Sequence, residues 1–222
     1  MLFRSQTILS ETYPRFNARF PNVHVYINAG TVGPHGVLHD KLASGELDLL
    51  LSYRLDGNRF DALPLFNSRF LIAIHRDHPG AARLLPYGLS KQEILKKSYT
   101  EAQTVTDPSR FEDVEFISGN AKPSSALISF FGAYYNSAQI SVLDSRNGSM
   151  QFYMMKARVG AAVIRDINLI DPMFDDSLLY VVPRIKEPHS TLYLLWQKGR
   201  TLSDTEQAFA TLLTDYFQSL SE

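Results

Sequence analysis

The sequence predicts an α/β protein built as two lobes, and three observations predict it. Short apolar runs of strand length alternate with stretches of helical periodicity along the 222 residues. One run, Glu46-Leu47-Asp48-Leu49-Leu50-Leu51, is nearly continuous in apolar residues, as a strand buried on both faces of a parallel sheet would be. The pattern then restarts after the punctuation Asp77-His78-Pro79-Gly80, with no low-complexity linker between the two sets and no internal repeat. Two α/β lobes without a loose linker imply a ligand cleft between them.

Ile8 to Phe20 places Ile8, Leu9, Thr12, Tyr13, Phe16 and Phe20 on one side at helical spacing. Pro14 predicts a kink or a late start, and Pro21-Asn22 a stop. Val23, Val25 and Ile27 alternate with His24 and Tyr26, which predicts a strand, and 29–34 is a loop. A helix carrying Val37, Leu38, Leu42 and Ala43 follows, stopped by Gly45. With the strand at 47–51 these elements make a βαβ unit whose crossover is right-handed. Leu63 to Phe66 and Arg69 to Ile74 are two short strands, and 81–95 a loop with a short helix.

In the second set, 97–104 and Val114 to Ile117 are strands, and Ser124 to Tyr135 is a helix rich in Phe and Tyr. Ile140 to Leu143 is a strand, Ser149 to Ala157 a helix, and Val159 to Ile164 a strand of small apolar residues. Strands at Leu178 to Val182 and Leu192 to Trp196 precede a final helix. Ser203 stands three residues before Glu206 there, a capping box, and Phe209, Leu212, Leu213, Tyr216 and Phe217 form the apolar face.

Twenty-two Lys and Arg against 23 Asp and Glu leave a net charge of −1, which argues against a strong polyanion binder. There is no cysteine, so disulfides, thiolate metal sites and thiol nucleophiles are excluded. No stretch reads as a signal peptide or approaches the roughly 18 apolar residues of a membrane span. The expectation is a cytoplasmic protein without membrane contact.

Catalytic patterns are missing. His35 and His39 are four apart, but no Glu follows His35 as a metalloprotease helix requires, so no metal site is expected. Gly148-Ser149 lacks the flanking glycine of a nucleophile elbow. Gly30-Thr31-Val32-Gly33-Pro34 has the wrong spacing for a dinucleotide turn, and Pro34 removes an N–H that a phosphate would use. Asp175-Asp176 and Asp56 with Asp61 read as turn carboxylates with no acid/base role. What remains is a set of polar loops beyond strand ends, where helix N-termini gather N–H groups and positive dipole. They hold Gly30-Thr31, Ser52-Tyr53-Arg54, Ser118 to Ser124, and Asp144 to Ser149. Such loops suit the capture of a small polar metabolite, with no cofactor and no enzyme chemistry.

Several segments, in order, carry a resemblance. Tyr13-Pro14-Arg15-Phe16 through Val23, Gly30-Thr31, Leu42-Ala43-Ser44-Gly45-Glu46-Leu47-Asp48-Leu49, Leu63-Pro64-Leu65-Phe66 and Leu71 to Pro79 are the first of these. Ala157-Arg158-Val159-Gly160-Ala161-Ala162-Val163-Ile164 and Tyr193-Leu194-Leu195-Trp196 follow late in the chain. Together they resemble the effector-binding domain of LysR-type transcriptional regulators over essentially the whole sequence. Ala157 stands where the family commonly has glycine, and Arg165 where it has proline.

The resemblance implies a periplasmic-binding-protein-like fold of type 2, with two Rossmann-like lobes joined by two crossover segments near 74–79 and 181–184. Residues 1–78 with 183–222 would form lobe one, its first strand missing, and 79–182 lobe two. It implies a small effector in the interlobe cleft and a homodimer. DNA would be read only through a helix-turn-helix domain, which this sequence lacks. By position, Thr31 and Tyr53 match effector-facing residues of lobe one, and Lys122, Ser124 and Asn147 those of lobe two. Arg4 and Gln6 would lie in the first loop. Arg4, Arg54, Lys122 and Arg146 near these loops lean the ligand toward an anion. The other readings are a free-standing solute-binding protein of the same fold, an enzyme on that fold, and a fragment without function.

Overall fold

The computed structural model describes residues 2–27, 37–117, 128, 130–132, 148–185 and 189–220. In chain order the elements are α1 (Leu2–Arg19), α2 (Val37–Ser44), β1 (Leu50–Ser52), β2 (Phe60–His75), α3 (Lys91–Leu95) and β3 (Phe116–Ile117). They continue with α4 (Gly148–Lys156), β4 (Ala161–Arg165), β5 (Leu178–Val181), β6 (His189–Gln197) and α5 (Asp204–Ser219), with short 3₁₀ turns between. The chain divides into two compact units, 1–68 with 190–222, and 69–189.

In the first unit, β6 pairs antiparallel with β1, Leu51 opposite Leu194, and neighbours β2 on its other side. Leu42, Phe60 and Leu195 form a small core with Leu47, Leu50 and Tyr193 packed against it. Gly45 closes α2 at a φ of +80°, a conformation that costs a side-chain-bearing residue free energy. α1 and α5 pack together: Ile8, Thr12 and Phe16, spaced by four, are all buried, and Phe16 meets Phe209 edge-on with centroids 5.3 Å apart. The capping box of α5 forms as expected, Ser203 Oγ accepting from the Glu206 N–H while the Glu206 carboxylate accepts from the Ser203 N–H.

In the second unit, β2 lies between antiparallel neighbours β4 and β5, and β3 runs parallel to β4. Consecutive residues of each strand face opposite sides, and both sides are filled. Ile72, Ile74, Phe116, Ala161, Leu179 and Val181 belong to one core layer. Leu71, Ala73, Ile117, Ala162, Leu178 and Tyr180 belong to the other. Phe111, Phe116, Phe130 and Phe131 close the first layer, several ring pairs meeting edge-on. Gly160 lets β3 and β4 approach, since a β-carbon there would run into the Glu115 carbonyl, which already accepts from the Ala161 N–H.

Several sequence expectations are corrected. α1 begins at Leu2 and runs through Pro14, so Arg4 and Gln6 lie on helical backbone and not in a first loop. Residues 23–27 form no ladder among the described residues. The two short strands are one 16-residue strand, β2. Pro64 sits inside it, exposed, and Phe66 and Ser68 keep the alternation going. Residues 97–104 are a turn and a 3₁₀ segment: Lys97 has a φ of +54° and the Gln103 carboxamide accepts from the Thr100 N–H. The sheets are mixed, with one parallel pair among the described strands. The compact units divide at 68/69 and 189/190. Phe70 to His75 pair with β4 and β5, and Val105 exchanges backbone hydrogen bonds with Val182 and Arg184, so both stretches belong to the second unit. The helix at 124–135 falls within the described residues only at 128 and 130–132, and the strand at 140–143 lies outside them.

Candidate functional site

Ligand sites of α/β sheets form where strand carboxyl ends meet helix N-termini. The second unit builds such a corner. β3 ends at Ile117, and its carbonyl accepts from the Gln151 side chain at 2.8 Å, in the early part of α4. That bond holds the N-terminal turns of α4, with their free N–H groups and positive dipole, against the carboxyl end of β3. Lys122 and Ser124 follow β3 in sequence, and Arg146 and Asn147 directly precede α4. All four lie outside the described residues.

In the first unit Thr31 also lies outside the described residues, and for Arg4 and Gln6 only the helical backbone is described. Tyr53 is described. It follows β1 directly and lines a cavity of about 690 Å³ whose walls are mainly apolar side chains from α1, β1, β6 and α5. That volume lies in the usual range for a ligand pocket.

Beside Tyr53 is a polar clamp that sequence reasoning missed. Buried Ser52 lies 3.2 Å from His39 Nε2 and accepts from the Arg54 N–H, while His39 Nε2 also lies 3.2 Å from the Arg54 carbonyl. A carbonyl only accepts, so that bond requires Nε2 to carry its proton. The same nitrogen then cannot take a proton from Ser52. The cluster ties α2 to the end of β1 and is no activated nucleophile. His39 and Ser52 are 13 residues apart, a spacing that carries no sequence signal.

Three further carboxylates are committed to structure. Asp166, fully buried, accepts from the N–H groups of Arg69 and Ile167. Asp175 is gripped by Lys156 and Ser177, whose hydrogen bonds hold its carboxyl down to about 2. Burial pushes Glu206 up, but hydrogen bonds from Arg200 and Ser203 outweigh it and leave the group below its ordinary value. Among the described residues no group of three or more His, Asp and Glu is placed to hold a metal ion, and no helix is long and apolar enough to cross a membrane.

Solved structures share this fold. The regulatory domain of CcmR from Synechocystis PCC6803, in complex with 2-PG, is 15% identical with a TM-score of 0.67, over 97% of this chain and 94% of that one. The BenM effector-binding domain with its effector benzoate is 13% identical with a TM-score of 0.64, over 97% and 89%. The effector-binding domain of QuiR in complex with shikimate is 15% identical with a TM-score of 0.58, over 96% and 93%. No curated protein matches the chain in sequence. Residues 5–218 match the LysR substrate binding domain, nearly the whole chain, and with the α/β architecture above they place this protein in that family, on the type 2 periplasmic-binding-protein-like fold.

Proposed function

We propose that this chain is the sensing part of a transcriptional regulator and that its effector is a small carboxylate. The observation that carries the reading is the family match over residues 5–218. The carboxylate class is supported by two similar domains that hold benzoate and shikimate, and by Arg4, Arg54, Lys122 and Arg146 near the candidate loops. The β3–α4 corner supports Lys122, Ser124 and Asn147 as ligand residues, with N–H groups of α4 ready for an anion. Thr31, Tyr53, Arg4 and Gln6 complete the proposed set. The domain binds and releases without catalysis, acts as a homodimer in the cytoplasm, and signals because the effector prefers one of two conformations.

A thermal-shift screen tests this. Benzoate, shikimate and other small carboxylates are compared with their neutral amides. A true effector at 100 times its Kd adds about 2.7 kcal/mol of stability, and its amide adds far less. Lys122→Ala weakens the carboxylate roughly 10- to 100-fold, the worth of a charge-assisted hydrogen bond, without changing the stability of the free protein. Equal response to acid and amide would refute the carboxylate class.

A further inference from the structure

Two histidines, one at the end of β2 and one just beyond it, share a duty that a charged ring cannot perform. His75 closes the strand, and its Nδ1 accepts from the Asp77 N–H at 3.1 Å. His78 stands immediately before the 3₁₀ turn Pro79–Arg83, and its Nδ1 accepts from the Gly80 N–H at 3.0 Å, capping that turn. A ring nitrogen that accepts carries no proton, so both rings are neutral, with the proton on Nε2. An imidazolium donates from both nitrogens, so protonation sets a donor against a donor in each of these bonds. The backbone between them is tied as well: the His78 N–H donates to the His75 carbonyl and the Ala81 N–H to the His78 carbonyl, both at 2.9 Å. What the cap seats is core. Ala81 and Leu84, both 0% exposed, belong to the same layer as Ile74 and Val114. The fit is close, since a β-carbon at Gly80 would run into the Val114 side chain.

We propose that residues 75–80 form an acid-sensitive latch of the second unit: proton uptake at His75 or His78 removes the bond which that ring accepts and loosens the seat of Ala81 and Leu84. The surrounding charges leave this logic in place. Asp77 Oδ2 lies 3.9 Å from His75 Nδ1, but Arg158, beyond the end of α4, already holds that oxygen at 2.9 Å. Arg76 is turned to the Asp176 carbonyl. From the segment before β3, the apolar Val114 meets the start of the 3₁₀ turn, while Glu112 and Asp113 lie 3.8 and 3.7 Å from Arg83 at its other end. Burial, and after it the neighbouring His75, hold the His78 ring below its ordinary value of 6.5. A histidine whose pKa falls on folding contributes stability that is whole above pH 6.5 and declines as the pH drops below it.

The test uses the full chain and follows amide hydrogen exchange at Asp77 and Gly80 from about pH 7.5 to about pH 5, the range in which histidine changes charge, with each rate referred to that of an unfolded peptide at the same pH. Protection at both amides is expected to fall roughly three- to ten-fold in acid, the worth of one hydrogen bond. His78→Asn supplies a cap that does not titrate, and is expected to keep Gly80 equally protected across the range. His75→Asn is expected to do the same for Asp77. His78→Ala removes the cap at every pH, and is expected to show near neutrality the low Gly80 protection that the parent protein reaches in acid. Nitrogen NMR of the rings gives a second readout, with Nδ1 of both histidines unprotonated near neutral pH. Protection at Asp77 or Gly80 that ignores pH in the parent, the same acid loss at Gly80 in His78→Asn, or a proton on His78 Nδ1 near neutrality would overturn the latch.

Discussion

The two units spend similar apolar patterning on different results. In the second, Leu71 to Ile74 of β2, Ala161 to Ile164 of β4 and Leu178 to Val181 of β5 alternate between two core layers, so the sheet is covered on both faces. In the first, Leu47 to Leu51 carry an equally apolar pattern, yet they border about 690 Å³ of space, with Leu42, Phe60 and Leu195 buried nearby. An apolar run marks where a wall stands; whether the space beyond it is filled depends on which other strands arrive.

The largest expected effect tests that contrast directly. Phe116→Ala empties a site with 0% exposure against the Phe111 and Phe131 rings and is expected to cost about 3–5 kcal/mol in chemical denaturation. Leu9→Ala trims a half-buried side chain that already borders open space and is expected to cost about 1 kcal/mol. Equal losses would mean that the first unit is as tightly packed as the second. Next comes the cap of α5. Ser203→Ala removes the acceptor for the Glu206 N–H and half of a reciprocal pair, and should lower stability by about 1 kcal/mol, mostly in the first unit, as hydrogen exchange along α5 would show.

The smallest effect concerns the second unit and depends on pH. The Asp175 carboxyl titrates at about 2 in the folded protein, below its ordinary 3.8, because Lys156 and Ser177 donate to it. A lowered pKa contributes stability that is whole above pH 3.8 and is lost as pH falls through 2. Asp175→Asn should therefore destabilise near neutral pH and converge with the parent protein at low pH. With the carboxylate side chain 52% exposed, water screens the pair and the difference should stay under about 1 kcal/mol.

Much of this was legible from residues alone. The Ser203–Glu206 box, the Gly45 stop and the helix at 148–156 follow from local chemistry, which needs no distant partner. Val23 to Ile27 has the right alternation for a strand, but a ladder requires a neighbour that alternation cannot supply. The break expected between Phe66 and Arg69 is absent: β2 runs straight through, and Pro64, which lacks a ladder donor, is tolerated in it where it is exposed. Of the candidate ligand residues, Tyr53 lines a cavity and the Gln151–Ile117 bond assembles the corner that Lys122, Ser124 and Asn147 adjoin in sequence. The Ser52–His39 clamp was invisible because its partners meet only through the packing of α2 on β1.

β2 gives its early residues to one unit and its later ones to the other. A strand's side chains swap faces with every single-residue step. Inserting or deleting one residue near Asn67 would thus trade the occupants of both layers around Leu71 to Ile74, harming a unit the edit never touched. Anyone reopening this polypeptide for permutation or split reporters should cut elsewhere. The exposed turn at Gly57, with open space around its α-carbon, is the place to try.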